Sequence, residues 1–211
     1  INSLREKGYG WVDWTANDGD GGGLASQEQA WGNLRNTINN NIEVILFHDY
    51  NGITTAILPD VIDYLRENDV YDNTKIILVS DHGRDVKQID QLHHNKNDVH
   101  TDVELYYPLM MVKDFNSKGF KTSTEFMTNA DVPAIAVNGT IENPINPFTG
   151  KVIDSTAKYE EPVYIARAAE YNTNINNGYT LLPSKWAMVK DDIWVQSNWT
   201  FYDEKTVNPP K

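Results

Sequence analysis

Two apolar runs in this chain each end in an adjacent His and Asp. Residues 44–47 lead into His48-Asp49, and residues 75–80 lead into Asp81-His82-Gly83. A carboxylate oxygen and an imidazole nitrogen side by side are donors that zinc or manganese accepts, and the same pair moves protons near neutral pH. Ligands of open α/β sheets gather at the C-terminal ends of strands, which is where both pairs fall if the runs are strands. Taken singly, either pair is equally explained by a capping Asp beside a solvated His, because two ligands do not complete a metal site. The placing of the histidines argues for shared chemistry. All five, His48, His82, His93, His94 and His100, lie in one central stretch.

The elements that must position these residues alternate along the first 80 positions. Residues 9–15 are aromatic and β-branched and read as a strand, followed by a glycine-rich turn at 19–23. Ser26 with Gln29 has the spacing of a capping box, and Ala30, Trp31, Leu34 and Ile38 then recur at helical period. Residues 43–47 form an apolar strand. A second helix begins at Thr54 or Thr55, with Ile57, Leu58, Val61, Ile62 and Leu65 on one face and Pro59 in the first turn, where a missing N–H costs least. Residues 75–79 form the third strand. Continuous apolar strands separated by helices predict a mostly parallel sheet, with the strands near 11, 45 and 77 side by side and both helices on one face. Strand ends about 4.8 Å apart then line up Asp20, His48, Asp49, Asp81 and His82 on one edge. Two imidazoles and a carboxylate there suit zinc with a position left open for water, giving a composite site of His48, Asp81 and His82. The competing expectation is that Asp20 holds His48 by a hydrogen bond and the edge carries no metal.

After Gly83 the texture changes. Residues 84–104 are polar without a clean period and read as a long loop or a frayed helix. Residues 107–112 read as a strand with Pro108 near its start, and 128–135 as a short helix. From 138 onward Asn, Pro, Gly and Thr dominate, so 140–211 is expected to be loops and short strands, with Trp186 and Trp194 at least partly buried. The fold class is therefore α/β, a mostly parallel sheet flanked by helices with a loop-rich C-terminal region.

The 211 residues, 40% hydrophobic with six Trp, are enough for a buried core. A formal charge of −12 disfavours nucleic acid and anionic membrane surfaces as partners, and a polyanionic substrate would need a cation to offset the repulsion. No apolar run approaches the roughly 20 residues that span a bilayer. No charged-then-apolar N-terminal stretch resembles a secretory signal, as expected of a mature fragment. The absence of Cys excludes disulfide and thiol chemistry. The glycine run 19–23 lacks the Lys and spacing of a phosphate-binding loop, and the sequons at Asn138 and Asn198 are short enough to arise by chance.

Two resemblances add to this reading. Residues 1–68 resemble the C-terminal half of polysaccharide deacetylases of the NodB type, on the segment 8–20, on residues 44–49 and on 56–68. That family's Leu-x-His motif falls on Leu46-Phe47-His48, which implies that His48 protonates the leaving amine, and the carboxylate that tunes this histidine falls on Asp20. Asn17 stands where the family usually has Asp, and Gly21 where it has a Trp that contacts sugar. The family's metal and base motifs lie in its N-terminal half, upstream of the part resembled. Residues 69–211 resemble the C-terminal portion of sulfatase-like enzymes of the alkaline phosphatase superfamily, close to lipoteichoic acid synthases. The match is carried by residues 71–84, 107–115, 126–131 and 146–151. It implies that Asp81 and His82 bind a divalent metal, zinc or manganese. His93, His94 and His100 fall in that family's variable loop and inherit no role.

The two resemblances meet in the helix 56–68, so the chain reads as a hybrid, in one continuous globular unit. A natural fusion, a recombined or designed sequence, or an assembly artefact would each produce it. The expected function is a metal-dependent hydrolase or transferase of the sulfatase-like class acting on cell-surface esters, with an incomplete site. The alternatives are a polysaccharide deacetylase with His48 and Asp20 as its acid and tuning carboxylate, and a folded hybrid without catalysis. By resemblance the location is extracellular or at a bacterial surface, with a cell-wall glycopolymer as partner.

Overall fold

The computed structural model describes residue 6 and residues 14–38, 42–48, 51–84, 93–96, 99–145, 150–152, 160–167 and 183–210. The chain divides into two compact units, Ile1–Thr74 and Lys75–Lys211. Secondary structure is mixed α/β, with small sheets.

The first unit runs β1 (Ala16–Asn17), α1 (Gln27–Thr37), β2 (Ile45–Leu46), α2 (Gly52–Ala56) and α3 (Leu58–Glu67). β1 and β2 are parallel, with Ala16 opposite Ile45 and Asn17 opposite Leu46. Before β1, the Thr15 N–H donates to the Val44 carbonyl at 2.8 Å. Of the expected strand 9–15, positions 9–13 lie outside the described residues. Ser26 caps α1: its Oγ accepts the Gln29 N–H at 3.2 Å, and Gln29 Oε1 accepts the Ala25 N–H at 2.9 Å, one residue before the cap. Ala30 and Leu34, four apart on α1, bury their side chains with Ala16 and Ile57. The single helix expected from Thr54 is in fact two. Pro59 has no N–H to bond the Thr55 carbonyl, and the Ile57 N–H turns back to the Thr54 carbonyl at 3.3 Å, so α2 ends there and α3 restarts with the proline in its first turn.

The second unit contains β3 (Ile76–Val79), β4 (His93–Lys96), β5 (Val99–Asp102), β6 (Met110–Lys113), α4 (Val132–Val137), β7 (Val163–Arg167), β8 (Ser184–Val189) and β9 (Trp199–Thr206). β3 pairs antiparallel with β6, from Ile76 opposite Lys113 to Val79 opposite Met110. Among the described strands β1 and β2 are the parallel pair and the other pairings are antiparallel, so the expected large, mostly parallel sheet is not what these strands form. An apolar run does not require burial on both faces of its strand. Leu78 and Val79 are 40% and 44% exposed, and an apolar run carries no information about strand direction. Within 84–104, expected to be a loop or frayed helix, β4 and β5 pair antiparallel and a 3₁₀ turn, Val103–Tyr106, begins; residues 85–92 and 97–98 lie outside the described residues. A polar pair of strands has no hydrophobic period to betray it.

β7, β8 and β9 form a three-stranded antiparallel sheet in that order. Its core is Ala187, Val189 and Trp199 with Val103 and Phe126. Trp186 is half-buried, and its indole N–H donates to the Thr206 carbonyl at 3.1 Å. Trp194, by contrast, is 47% exposed, and Trp199 is the buried indole of this region at 8%. Trp199 opens a strand whose inner face meets the core, whereas Trp194 lies between β8 and β9 outside any strand. Trp199 Nε1–H donates to the Ile193 carbonyl at 2.8 Å, which also accepts the Tyr107 hydroxyl. Burial raises the Tyr107 phenol above its ordinary value, so it stays a neutral donor.

Candidate functional site

In the first unit the parallel strands deliver Asp18, Asp20 and His48 to one place. The chain leaves β1 through Asp18 and turns at Gly19, whose φ of +88° is in the region that glycine favours. A Cβ there would also stand 2.7 Å from Asn33 Nδ2, whose amide donates to the Asp18 carbonyl at 2.8 Å. Asp20 then opens the 3₁₀ turn Asp20–Gly22 with its side chain 3% exposed. The other strand ends two residues before His48.

The two residues hold each other twice. The His48 N–H donates to Asp20 Oδ2 at 2.7 Å, and His48 Nδ1 lies 2.9 Å from Asp20 Oδ1. Burial by itself would raise the Asp20 carboxyl. The hydrogen bonds from the His48 ring and amide, together with the charge of His48, outweigh it and hold the carboxyl below its ordinary value. An ionised Asp20 accepts from Nδ1–H, which makes Nε2 the basic nitrogen of the neutral ring. With the His48 side chain 36% exposed, the arrangement can take up a proton from solvent and hand it to a bound group.

Two further residues complete this cluster. Asp18 is fully buried, and Thr54 of α2 is 1% exposed. The Thr54 hydroxyl lies 2.6 Å from Asp18 Oδ2 and 3.2 Å from Asp20 Oδ2. Neither was singled out for chemistry from sequence. The readable signal was Asp18-Gly19-Asp20, a glycine between two carboxylates that puts both on one side of a tight turn. Thr54 had no such signal, since it meets the carboxylates only through the tertiary fold. Asp49 lies outside the described residues.

Asp81 and His82 belong to the second unit, at the end of β3. Their side chains are 87% and 70% exposed. His82 Nδ1 is 2.6 Å from the Gly83 carbonyl, and Nε2 is 3.6 Å from Asp81 Oδ2. The Asn129 amide holds the backbone beneath them, donating to the Ser80 and Asp81 carbonyls at 2.9 and 3.0 Å. β4 and β5 carry His93, His94 and His100. Among the described residues no group of three or more His, Asp or Glu side chains is placed to hold a metal ion. Among the described residues the donors beside β3 are the two exposed side chains of Asp81 and His82, and those of the first unit are His48 and Asp20 with Asp18 behind them.

No family model, curated protein or solved structure matches the chain. No helix among the described residues is long and apolar enough to cross a membrane.

Proposed function

We propose that the first unit carries the acid–base half of a carbohydrate N-deacetylase, in which protonated His48 gives its Nε2 proton to the amine that departs from an acetamido sugar. The observation behind this is the double hold of Asp20 on His48, at 2.7 and 2.9 Å. A carboxylate on Nδ1–H orients the ring, fixes its tautomer and stabilises the imidazolium that must exist before the proton is given away. The substrate class is a cell-wall or surface glycopolymer bearing N-acetyl groups, met at a bacterial surface. The test is acetate release from N-acetylglucosamine oligomers by the wild-type chain and by His48→Gln. Release by the wild type that falls in the variant by about a hundredfold or more supports the reading. Equal release, or none from either, removes it.

A second reading follows from His82. With Nδ1–H donated to the Gly83 carbonyl, Nε2 presents its lone pair near an Asp81 oxygen, the orientation that metal-binding histidines take from such backbone partners. This favours a remnant of a sulfatase-like, metal-dependent hydrolase or transferase acting on surface esters. Calorimetry with zinc and with manganese on the wild type and on His82→Ala tests it. No binding tighter than about millimolar, or binding indifferent to the substitution, leaves Asp81-His82 without a metal role. Failure of both tests leaves a folded hybrid without catalysis.

A further inference from the structure

Asp18 is wholly buried, and proton delivery by His48 as described makes no direct use of it. An ionised carboxylate without water is costly unless its lone pairs are met. Asp18 Oδ1 accepts the Asp20 N–H at 3.1 Å, and Oδ2 faces the Thr54 hydroxyl at 2.6 Å. The same hydroxyl oxygen is 3.2 Å from Asp20 Oδ2. A threonine hydroxyl has one hydrogen to give. Hydrogen bonds from hydroxyl to carboxylate run at about 2.5–2.7 Å, so the shorter contact takes the hydrogen and Asp20 Oδ2 meets a lone pair. Asp20 already has its donors, the amide and the ring of His48.

We propose that Asp18 is a positioning residue for the His48–Asp20 pair: by drawing the Thr54 hydrogen to itself it leaves Asp20 free to hold Nδ1–H of His48. Among the described residues Asp20, from the turn after β1, is a titratable group hydrogen-bonded to His48, with Asp18 behind it; α2 adds the Thr54 hydroxyl and α1 the Asn33 amide, neither of them charged. The proposal deepens the reading of His48 as the proton donor. Without Asp18, Thr54 rotates its hydrogen to Asp20 Oδ2, the carboxylate becomes a weaker acceptor for the ring, and the imidazole drifts to the Nε2–H tautomer, which has no lone pair on Nε2 to be protonated.

The experiment is ¹⁵N NMR of the His48 ring in the full chain, about two pH units above the ordinary imidazole value of about 6.5, where the neutral tautomers are distinguished by their nitrogen shifts. It requires no substrate, so absence of deacetylation would remove the functional reading and leave this result standing. The wild type is expected as Nδ1–H. Asp18→Asn raises the Nε2–H to Nδ1–H ratio by about threefold, the effect of one neutral hydrogen bond gained by a competitor. Asp18→Asn combined with Thr54→Val returns toward the wild-type ratio, because the competing hydroxyl is gone. An unchanged ratio in Asp18→Asn overturns the proposal, and so does a double variant that keeps the full change. If far-UV circular dichroism shows Asp18→Asn unfolded, Thr54→Val alone decides. A wild-type position of the His48 Nδ1–H proton resonance supports the assignment, and a downfield displacement places the hydroxyl hydrogen on Asp20 and overturns it.

Discussion

The Glu104 carbonyl oxygen lies 1.9 Å from where a Cβ on Gly83 would stand. The Tyr107 carbonyl is 2.6 Å from the same point, and the Gly83 N–H donates to the Leu105 carbonyl at 3.0 Å. Gly83 is therefore a glycine of close approach. It lets the segment after Asp81-His82 lie directly on the turn Val103–Tyr106. Gly83→Ala forces two backbones apart, and the expected loss is about 1–3 kcal/mol or more, read as a lower urea midpoint by tryptophan fluorescence. A loss under about 0.5 kcal/mol would mean that the two segments separate freely.

Asp20 makes stability depend on pH. Its carboxyl is held below the ordinary value of 3.8 because the hydrogen bonds and charge of His48 overcome the opposing effect of burial. A carboxyl whose folded-state pKa is depressed contributes fully above its unfolded value, and the contribution is lost as pH falls through the folded one. Urea unfolding followed from about pH 6 down to about pH 2 should show this loss in the wild type and a flatter profile in Asp20→Asn. Coincident profiles would show that Asp20 is equally acidic in the unfolded chain.

The cap of α1 rests on one side chain. Ser26→Ala removes the acceptor of the Gln29 N–H and should cost about 0.5–2 kcal/mol in thermal unfolding. Ser26→Asp, which keeps an acceptor and adds charge at the helix N-terminus, should restore it.

Trp199→Ala should cost about 3–5 kcal/mol by leaving a cavity against Val103, Phe126, Ala187 and Val189. Trp194→Ala, at a site 47% exposed, should cost far less. Comparable losses from the two, measured by denaturant unfolding, would contradict the assignment of Trp199 as the core indole.

Local signals in the sequence were read more reliably than long-range ones. Ser26 and Gln29, the helical period of Ala30 and Leu34, and the apolar run before His48 all concern neighbours along the chain, and each has its local counterpart in α1 or β2. The meeting of Asp20 and His48, 28 positions apart, follows from the parallel pairing of the strands that precede them, and the resemblance adds a role for the pair. The direction of β3, the polar pairing of β4 with β5, and the choice of Trp199 over Trp194 for burial are tertiary outcomes. Apolar content alone does not encode them. Thr54 looks like a helix start in the sequence, and only the folded turn after β1 reveals what its hydroxyl touches.

The setting of Trp199 has an optical consequence. Its ring is stacked with those of Tyr106, Tyr107 and Phe201 at centroid distances of 6.4, 6.1 and 6.3 Å, and its N–H is tied to a carbonyl. Aromatic chromophores fixed at such separations in an asymmetric cage give near-ultraviolet ellipticity, which vanishes when side-chain packing loosens even if the strands persist. All four rings belong to the second unit, so their share of this band, read as the difference from Trp199→Phe, gauges whether β7, β8 and β9 are truly packed or merely formed.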